Sequence, residues 1–217
     1  MWQAQVFTLY PEVFPGPLSK GLYGKALSNN LWKLKVVNIR DAADDKHKTV
    51  DDTPYGGGSG MLLKADVLAK SLDENKNESE RILYLSPKGK KFDQNLAKEL
   101  ANEKSLSLIC GHFEGVDERI LSTRNIEEIS IGDYVLSGGE IGAFVIIDAM
   151  VRLLPGELGN VLSTLDSAYN DLQFLSTKDQ QDSFGRQLPS TYLISFAISE
   201  DIKDTLAESR LGYCNES

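Results

Sequence analysis

Two runs of this chain join an apolar, strand-like stretch to glycines placed where a strand would end. They are Cys110-Gly-His-Phe-Glu-Gly-Val-Asp-Glu-Arg119 and Ile131-Gly-Asp-Tyr-Val-Leu-Ser-Gly-Gly-Glu140. Strands that stop in such turns leave bare backbone N–H and C=O groups at a sheet edge, with no side chain in the way. That edge suits a flat polar ligand held by backbone hydrogen bonds. A third punctuated strand end, Leu85-Ser-Pro-Lys-Gly89, has the same character. Other phosphate- and metal-binding chemistries lack their residues. No G-x-G-x-x-G opens a first strand–helix turn, and Gly56-Gly-Gly-Ser-Gly60 runs into Met-Leu-Leu rather than Gly-Lys-Ser/Thr. The two histidines, His47 and His112, stand in no zinc-ligand spacing.

The elements that must position these turns follow from hydrophobic periodicity. Strands are expected at Gln3–Tyr10, Trp32–Ile39, Ile82–Leu85, Leu106–Cys110 and within Ile126–Leu136. Helices are expected at Leu18–Asn29, Lys64–Leu72, from an Asp93 N-cap to Glu103, from Asp117–Ser122, and over the strongly apolar Glu140–Leu154. Residues 41–60 hold no periodicity and read as a long flexible loop, and Asp73–Glu80 as a polar turn. Strands alternating with helices predict an α/β fold with a parallel sheet and helices on its faces. In such sheets ligands sit beyond the carboxyl ends of the strands, where the three punctuated ends fall.

With 217 residues the chain makes one large or two small domains. No run of about 18 apolar residues is present, so no membrane span is expected. The start, Met1-Trp-Gln-Ala-Gln-Val6, lacks the basic beginning of a signal peptide. Two cysteines make no disulfide framework and suit a reducing cytoplasm. Cys110, before a glycine at a strand end, reads as a small buried hydrophobe. The net charge of −9 counts against a chain-wide nucleic-acid surface. Its distribution is uneven. Residues 1–50 carry seven Lys/Arg against four Asp/Glu (+3), and residues 161–217 carry four against nine (−5). An RNA partner would therefore meet the N-terminal half.

The two glycine runs resemble the cofactor loops of the bacterial tRNA (guanine-N1)-methyltransferases, a family of the trefoil-knotted SPOUT class. Three further blocks resemble the same family: Val6-Phe-Thr-Leu-Tyr-Pro-Glu12, Lys46-His-Lys-Thr-Val-Asp-Asp-Thr-Pro-Tyr-Gly-Gly-Gly-Ser-Gly-Met61 and Tyr84-Leu-Ser-Pro-Lys-Gly89. The resemblance implies a trefoil knot over about residues 84–145. It implies S-adenosylmethionine bound by Leu85, Pro87, Gly111, Glu114, Ile131, Gly132, Asp133, Tyr134, Val135, Leu136, Gly138 and Gly139. Glu114 and Asp133 either hold the cofactor's cationic end or ribose hydroxyls, or cap their turns. Magnesium is compatible with the family, yet no ligand set is visible.

The resemblance also implies the substrate, the guanine of tRNA 3′-adjacent to the anticodon. Methylating N1 requires loss of its proton and builds negative charge on O6. Asp166, in the pair Asp166-Ser167 after Leu154-Pro-Gly-Glu-Leu-Gly-Asn160, is the candidate base, with Asp171 as fallback. Arg152 is the candidate for steadying O6, while a basic residue there also complements the helix dipole. His47, Asp51, Asp52 and Tyr55 are candidate RNA contacts in the loop, and His112 reads as loop-shaping. A homodimer is implied, each site completed by the neighbour's loops.

Beyond about Asp171 the motif blocks stop, and a short acidic tail follows with an expected strand Tyr192–Ile198 and helix Glu200–Leu211. The expected organisation is a methyltransferase domain over 1–160, a linker over 161–172 and a family-unlike segment over 173–217. Two alternatives stay open: a catalytically impaired S-adenosylmethionine-binding protein, or a knotted methyltransferase acting on another RNA.

Overall fold

A computed structural model describes residues 1–54, 56–57, 60–76 and 81–154. Five strands form one all-parallel sheet: β1 (Trp2–Thr8), β2 (Trp32–Asn38), β5 (Arg81–Lys91), β6 (Ser105–Ile109) and β7 (Glu127–Ser130), in the order β2-β1-β6-β5-β7. Two-residue strands β3 (Asp51–Asp52) and β4 (Leu62–Leu63) pair antiparallel in a separate ribbon. The helices are α1 (Gly21–Ser28), α2 (Ala65–Glu74), α3 (Gln94–Ala101), α4 (Glu118–Thr123) and α5 (Glu140–Val151).

Both faces of the sheet are covered, which is why its strands read as apolar runs instead of alternating. Period two sorts their residues. Ala4, Val6, Leu106 and Leu108 face a core shared with Leu96 and Leu100 of α3 and Ile146, Ile147 and Met150 of α5. Phe7 and Ile109 face the other way, onto Val67, Leu68 and Leu72 of α2 and Ile120 of α4. Cys110 is fully buried, and that burial pushes its thiol well above its ordinary value, with Glu140 adding to the effect.

The helix starts are local chemistry. The Asp93 carboxylate accepts from Leu96 N at 2.8 Å, and that of Asp117 from Arg119 N at 3.0 Å, so each caps its helix. At the β7 edge of the sheet, Arg81 of β5 bonds Glu127 of β7 through two nitrogens, at 2.8 and 2.7 Å, and Glu99 of α3 at 2.5 Å.

Three elements differ from the sequence expectation. The strand expected to stop at Leu85 continues to Lys91. Leu85 and Lys90 both pair with Ile129, so Ser86–Gly89 leave the ladder and the chain then rejoins it. Pro87 lacks an N–H for the ladder, which explains the exit. Gly89 allows the return, since the backbone of Glu128 and Ile129 lies where its side chain would be. The helix expected from Leu18 begins at Gly21, because extended Lys20 separates it from a 3-10 turn at Gly16–Ser19. Residues 41–54 are more ordered than the long flexible loop expected there. The Asp45 carboxylate accepts from His47 N, Thr49 N and the Thr49 hydroxyl, and Val50 is fully buried. Among the described residues no helix is long and apolar enough to cross a membrane.

Candidate functional site

A cavity of about 260 Å³ opens at the carboxyl edge of the sheet, where β6 and β7 end and β5 leaves the ladder. Eleven sequence-predicted residues line it. Leu85 and Pro87 come from the β5 excursion, and Gly111 and Glu114 from the turn after β6. Ile131, Gly132, Tyr134, Val135, Leu136, Gly138 and Gly139 come from the turn after β7. Asp133 is exposed and is not among the lining residues. Glycine, serine and proline supply half of the wall, where backbone is left uncovered, and larger side chains such as Tyr84, Phe113 and Tyr134 supply the rest.

The two glycine turns are bonded to each other. Gly139 N donates to Gly111 O at 3.1 Å, and Gly115 N to His112 O at 3.2 Å within the first turn. Position 139 has no room for a side chain, since a Cβ there would sit 2.6 Å from Cys110 Cα and 3.0 Å from Gly111 N. The β3–β4 ribbon is tied to the same turn: Leu63 N donates to Gly115 O at 2.9 Å, and Glu114 N to Met61 O at 3.0 Å. Tyr84 also lines the cavity. Its hydroxyl is held above its ordinary value by burial and by Glu128, while a backbone hydrogen bond at Val116 opposes the shift.

One constellation escaped the sequence reading. Glu140, the first residue of α5, is buried. Its Oε1 accepts from the fully buried Thr8 hydroxyl at 2.5 Å, and both its carboxylate oxygens lie 2.9 Å from His112 Nε2. The only sequence signal was a glutamate opening a strongly apolar helix. Its partners are 132 and 28 residues away in the chain.

Arg152 caps the far end of α5 and is exposed. At 1.5 Å per residue, the helix separates it from Gly139 by about 20 Å, further than one arginine side chain reaches. Asp148, one turn earlier, raises the Tyr23 hydroxyl above its ordinary value by its charge and by a hydrogen bond, with burial contributing. His47 is exposed, Asp51 lies in β3 half-buried, and Asp52 beside it is exposed. Neither His47 nor Asp51 lines the cavity. Tyr55, Asp166, Asp171, the 161–172 linker and the expected tail strand and helix fall outside the described residues. Among the described residues no group of three His, Cys, Asp or Glu side chains is placed to hold a metal ion.

A parallel sheet covered by helices on both faces, with a cavity at its carboxyl edge, defines a protein of the doubly wound α/β class. The family model described as tRNA (guanine-1)-methyltransferase TrmD matches residues 2–194, past the last of the motif blocks. The chain is 75% identical over 171 residues to the tRNA (guanine-N(1)-)-methyltransferase of Pelagibacter ubique (strain HTCC1062), covering 79% of this chain and 75% of that protein. It is 56% identical over 162 residues to the enzyme of that name from Bartonella tribocorum (strain CIP 105476 / IBS 506), covering 75% and 69%. It is 47% identical over 192 residues to the one from Rhizobium etli (strain ATCC 51251 / DSM 11541 / JCM 21823 / NBRC 15573 / CFN 42), covering 87% and 82%. The chain belongs to the tRNA (guanine-1)-methyltransferase family.

Proposed function

We propose that this enzyme methylates N1 of guanine in tRNA, at the guanine 3′-adjacent to the anticodon, using S-adenosylmethionine. The observation that carries the reading is the backbone-walled cavity, assembled from three loops in a chain of this family. Its residues fit the cofactor: backbone groups and small residues suit a flat adenosine, and the exposed Glu114 carboxylate at the lining suits a cationic end. We further propose that residues 84–145 thread as a trefoil knot, and that the protein works in the cytoplasm.

S-adenosylmethionine, when bound, supplies an electrophilic methyl group on a sulfonium sulfur. The chain's own residues do the rest. Guanine N1 carries a proton at neutral pH, so a base must take it before N1 can attack. Asp166 takes that proton onto its carboxylate. Arg152 offsets the negative charge that then builds on O6. The cavity wall fixes the angle between the two reactants, and orientation supplies a large share of the rate.

The distance from Arg152 to the cavity supports a homodimer. α5 is apolar nearly all the way round, and such a helix is normally buried on every side. Yet Ile141 is 59% exposed and Val145 45%, on the face that continues to Asp148 and Arg152, and Val135 beside the cavity is 84% exposed. Two copies packed through this face about a two-fold axis cover these side chains. An antiparallel α5 pair also brings Arg152 of one copy toward the cavity of the other.

For tRNA, Lys88 and Lys91 are exposed in β5, one and four residues after the cavity-lining Pro87. Neither has a carboxylate partner among the described residues. They add to the local positive charge of the N-terminal region as a seat for phosphates.

The test is calorimetric titration of S-adenosylhomocysteine, followed by methyl transfer to unmodified tRNA with two adjacent guanines at the target. Binding together with N1-methylguanosine formation is expected. Binding without transfer would point to the catalytically impaired alternative, and methylation of a different RNA to the other. No binding would overturn the cavity assignment.

A further inference from the structure

We infer that Glu140 is the positioning residue of the cofactor site: its buried carboxylate ties the Gly111–Gly115 turn to β1 and to the start of α5, and so sets the spacing of the two glycine turns. The inference rests on the cofactor reading above. A carboxylate only accepts hydrogen bonds, so His112 Nε2 carries a proton and donates to it. The Thr8 hydroxyl donates to the same carboxylate and accepts from Tyr10 N at 2.9 Å. Tyr10 in turn sets its ring edge-on to His112, with centroids 5.0 Å apart. The connections therefore run from the end of β1 through Glu140 to His112, which lines the cavity together with its neighbours Gly111 and Phe113.

Three features separate this from an ordinary helix start. Glu140 is nine-tenths buried, and a buried carboxylate is costly unless its partners are supplied. Among the described residues it takes no bond from the free N–H groups of its own helix, so capping is not its role. A Cβ at Gly138 would lie 2.6 Å from Glu140 Oε2 and would press on the His112 ring, so the second turn is folded directly over the carboxylate. Losing Glu140 or His112 lets the first turn drift from the second. Backbone donors and acceptors on opposite walls then no longer match one flat ligand.

The experiment compares wild type, Glu140→Gln, His112→Leu, His112→Gln and the double variant Glu140→Gln/His112→Leu. Calorimetry with S-adenosylhomocysteine, steady-state kinetics in S-adenosylmethionine and thermal melts supply the readouts. Glu140→Gln is expected to raise the Kd, and KM for the methyl donor, by about tenfold or more. At saturating donor its kcat should stay within about threefold of wild type, because the turn is displaced while the reacting groups are unchanged. His112→Leu sits in a partly exposed turn that leaves the core intact, and it should reproduce the loss. His112→Gln keeps a donor and should restore most of the affinity. The double variant should be no worse than the weaker single, since both break one linkage. Unchanged Kd in Glu140→Gln and His112→Leu, or strictly additive losses, would overturn the inference even if the melting temperature falls. A wild-type chain that bound no S-adenosylhomocysteine would overturn the cofactor reading and this inference together. Wild-type binding with unaffected variants would overturn only the latter.

Discussion

If Arg152 reaches the cavity of a partner copy, two inactive variants must rescue each other. Gly139→Val blocks the cavity wall, since even a Cβ at that position would stand 2.6 Å from Cys110 Cα. Arg152→Ala leaves the cavity intact and removes a cation aimed at developing charge, a loss of roughly 10² to 10³ in kcat. Arg152 stands at the C-terminal end of α5 and Gly139 at its N-terminal end, about 20 Å apart by helix rise. A mixed dimer therefore has one dead site, with both lesions, and one intact site. Random reassociation yields about half mixed dimers, so methyl transfer should return to roughly a quarter of wild type. The assay is transfer of labelled methyl to tRNA after the two variants are unfolded together, refolded and checked for mixed dimers by differently tagged chains. Mixed dimers with no recovered activity would refute the argument, because a site complete within one chain leaves every mixed site with one lesion.

Val145→Asp should dissociate the dimer, read by sedimentation at micromolar protein. The exposed fractions of Ile141, Val145 and Val135 amount to about two apolar side chains, worth about 3–5 kcal/mol per protomer. Gly139→Ala alone should cost about 2 kcal/mol by forcing the two turns apart, lowering the melting temperature by about 4–8 °C with weaker S-adenosylhomocysteine binding. Arg81→Met tests a pH effect. Arg81 holds the Glu127 carboxyl below its ordinary 4.5. A carboxyl lowered in the fold contributes stability that is full above its unfolded value and is lost as pH falls through the folded one. The melting-temperature gap between wild type and Arg81→Met should thus be widest above about pH 5, corresponding to about 1 kcal/mol, and narrow toward pH 3. A gap independent of pH would refute it. Lys88→Ala/Lys91→Ala should weaken tRNA binding and flatten its salt dependence by roughly 0.7 to 0.9 for each phosphate that is no longer neutralised, with S-adenosylhomocysteine affinity unchanged.

What could be read from the sequence was whatever depends on neighbours in the chain. Apolar runs broken by glycine gave the central strands, because a strand buried on both faces has no polar alternation to hide it. The cap at Asp93 was legible because a cap bonds an N–H group three residues away. The cavity wall was legible for a related reason: backbone can bind a ligand only where side chains are small, and Gly111, Gly138 and Gly139 show that in the letters themselves.

The return of β5 after Pro87 was not legible, since the stop signal is local while the partner that recaptures Lys90 lies on β7. Nor was the Thr8–Glu140–His112 linkage, whose members are ordinary residues until the sheet order β2-β1-β6-β5-β7 places the ends of β1 and β6 beside the start of α5. By itself the sequence determined where strands end in glycine-rich turns, because type and local spacing suffice for that, while the expectation of methyl transfer came from the resemblance of those blocks to a family. Only the tertiary structure decided which buried carboxylate joins the walls of the cavity, because contacts across a fold are set by packing between elements remote in the chain.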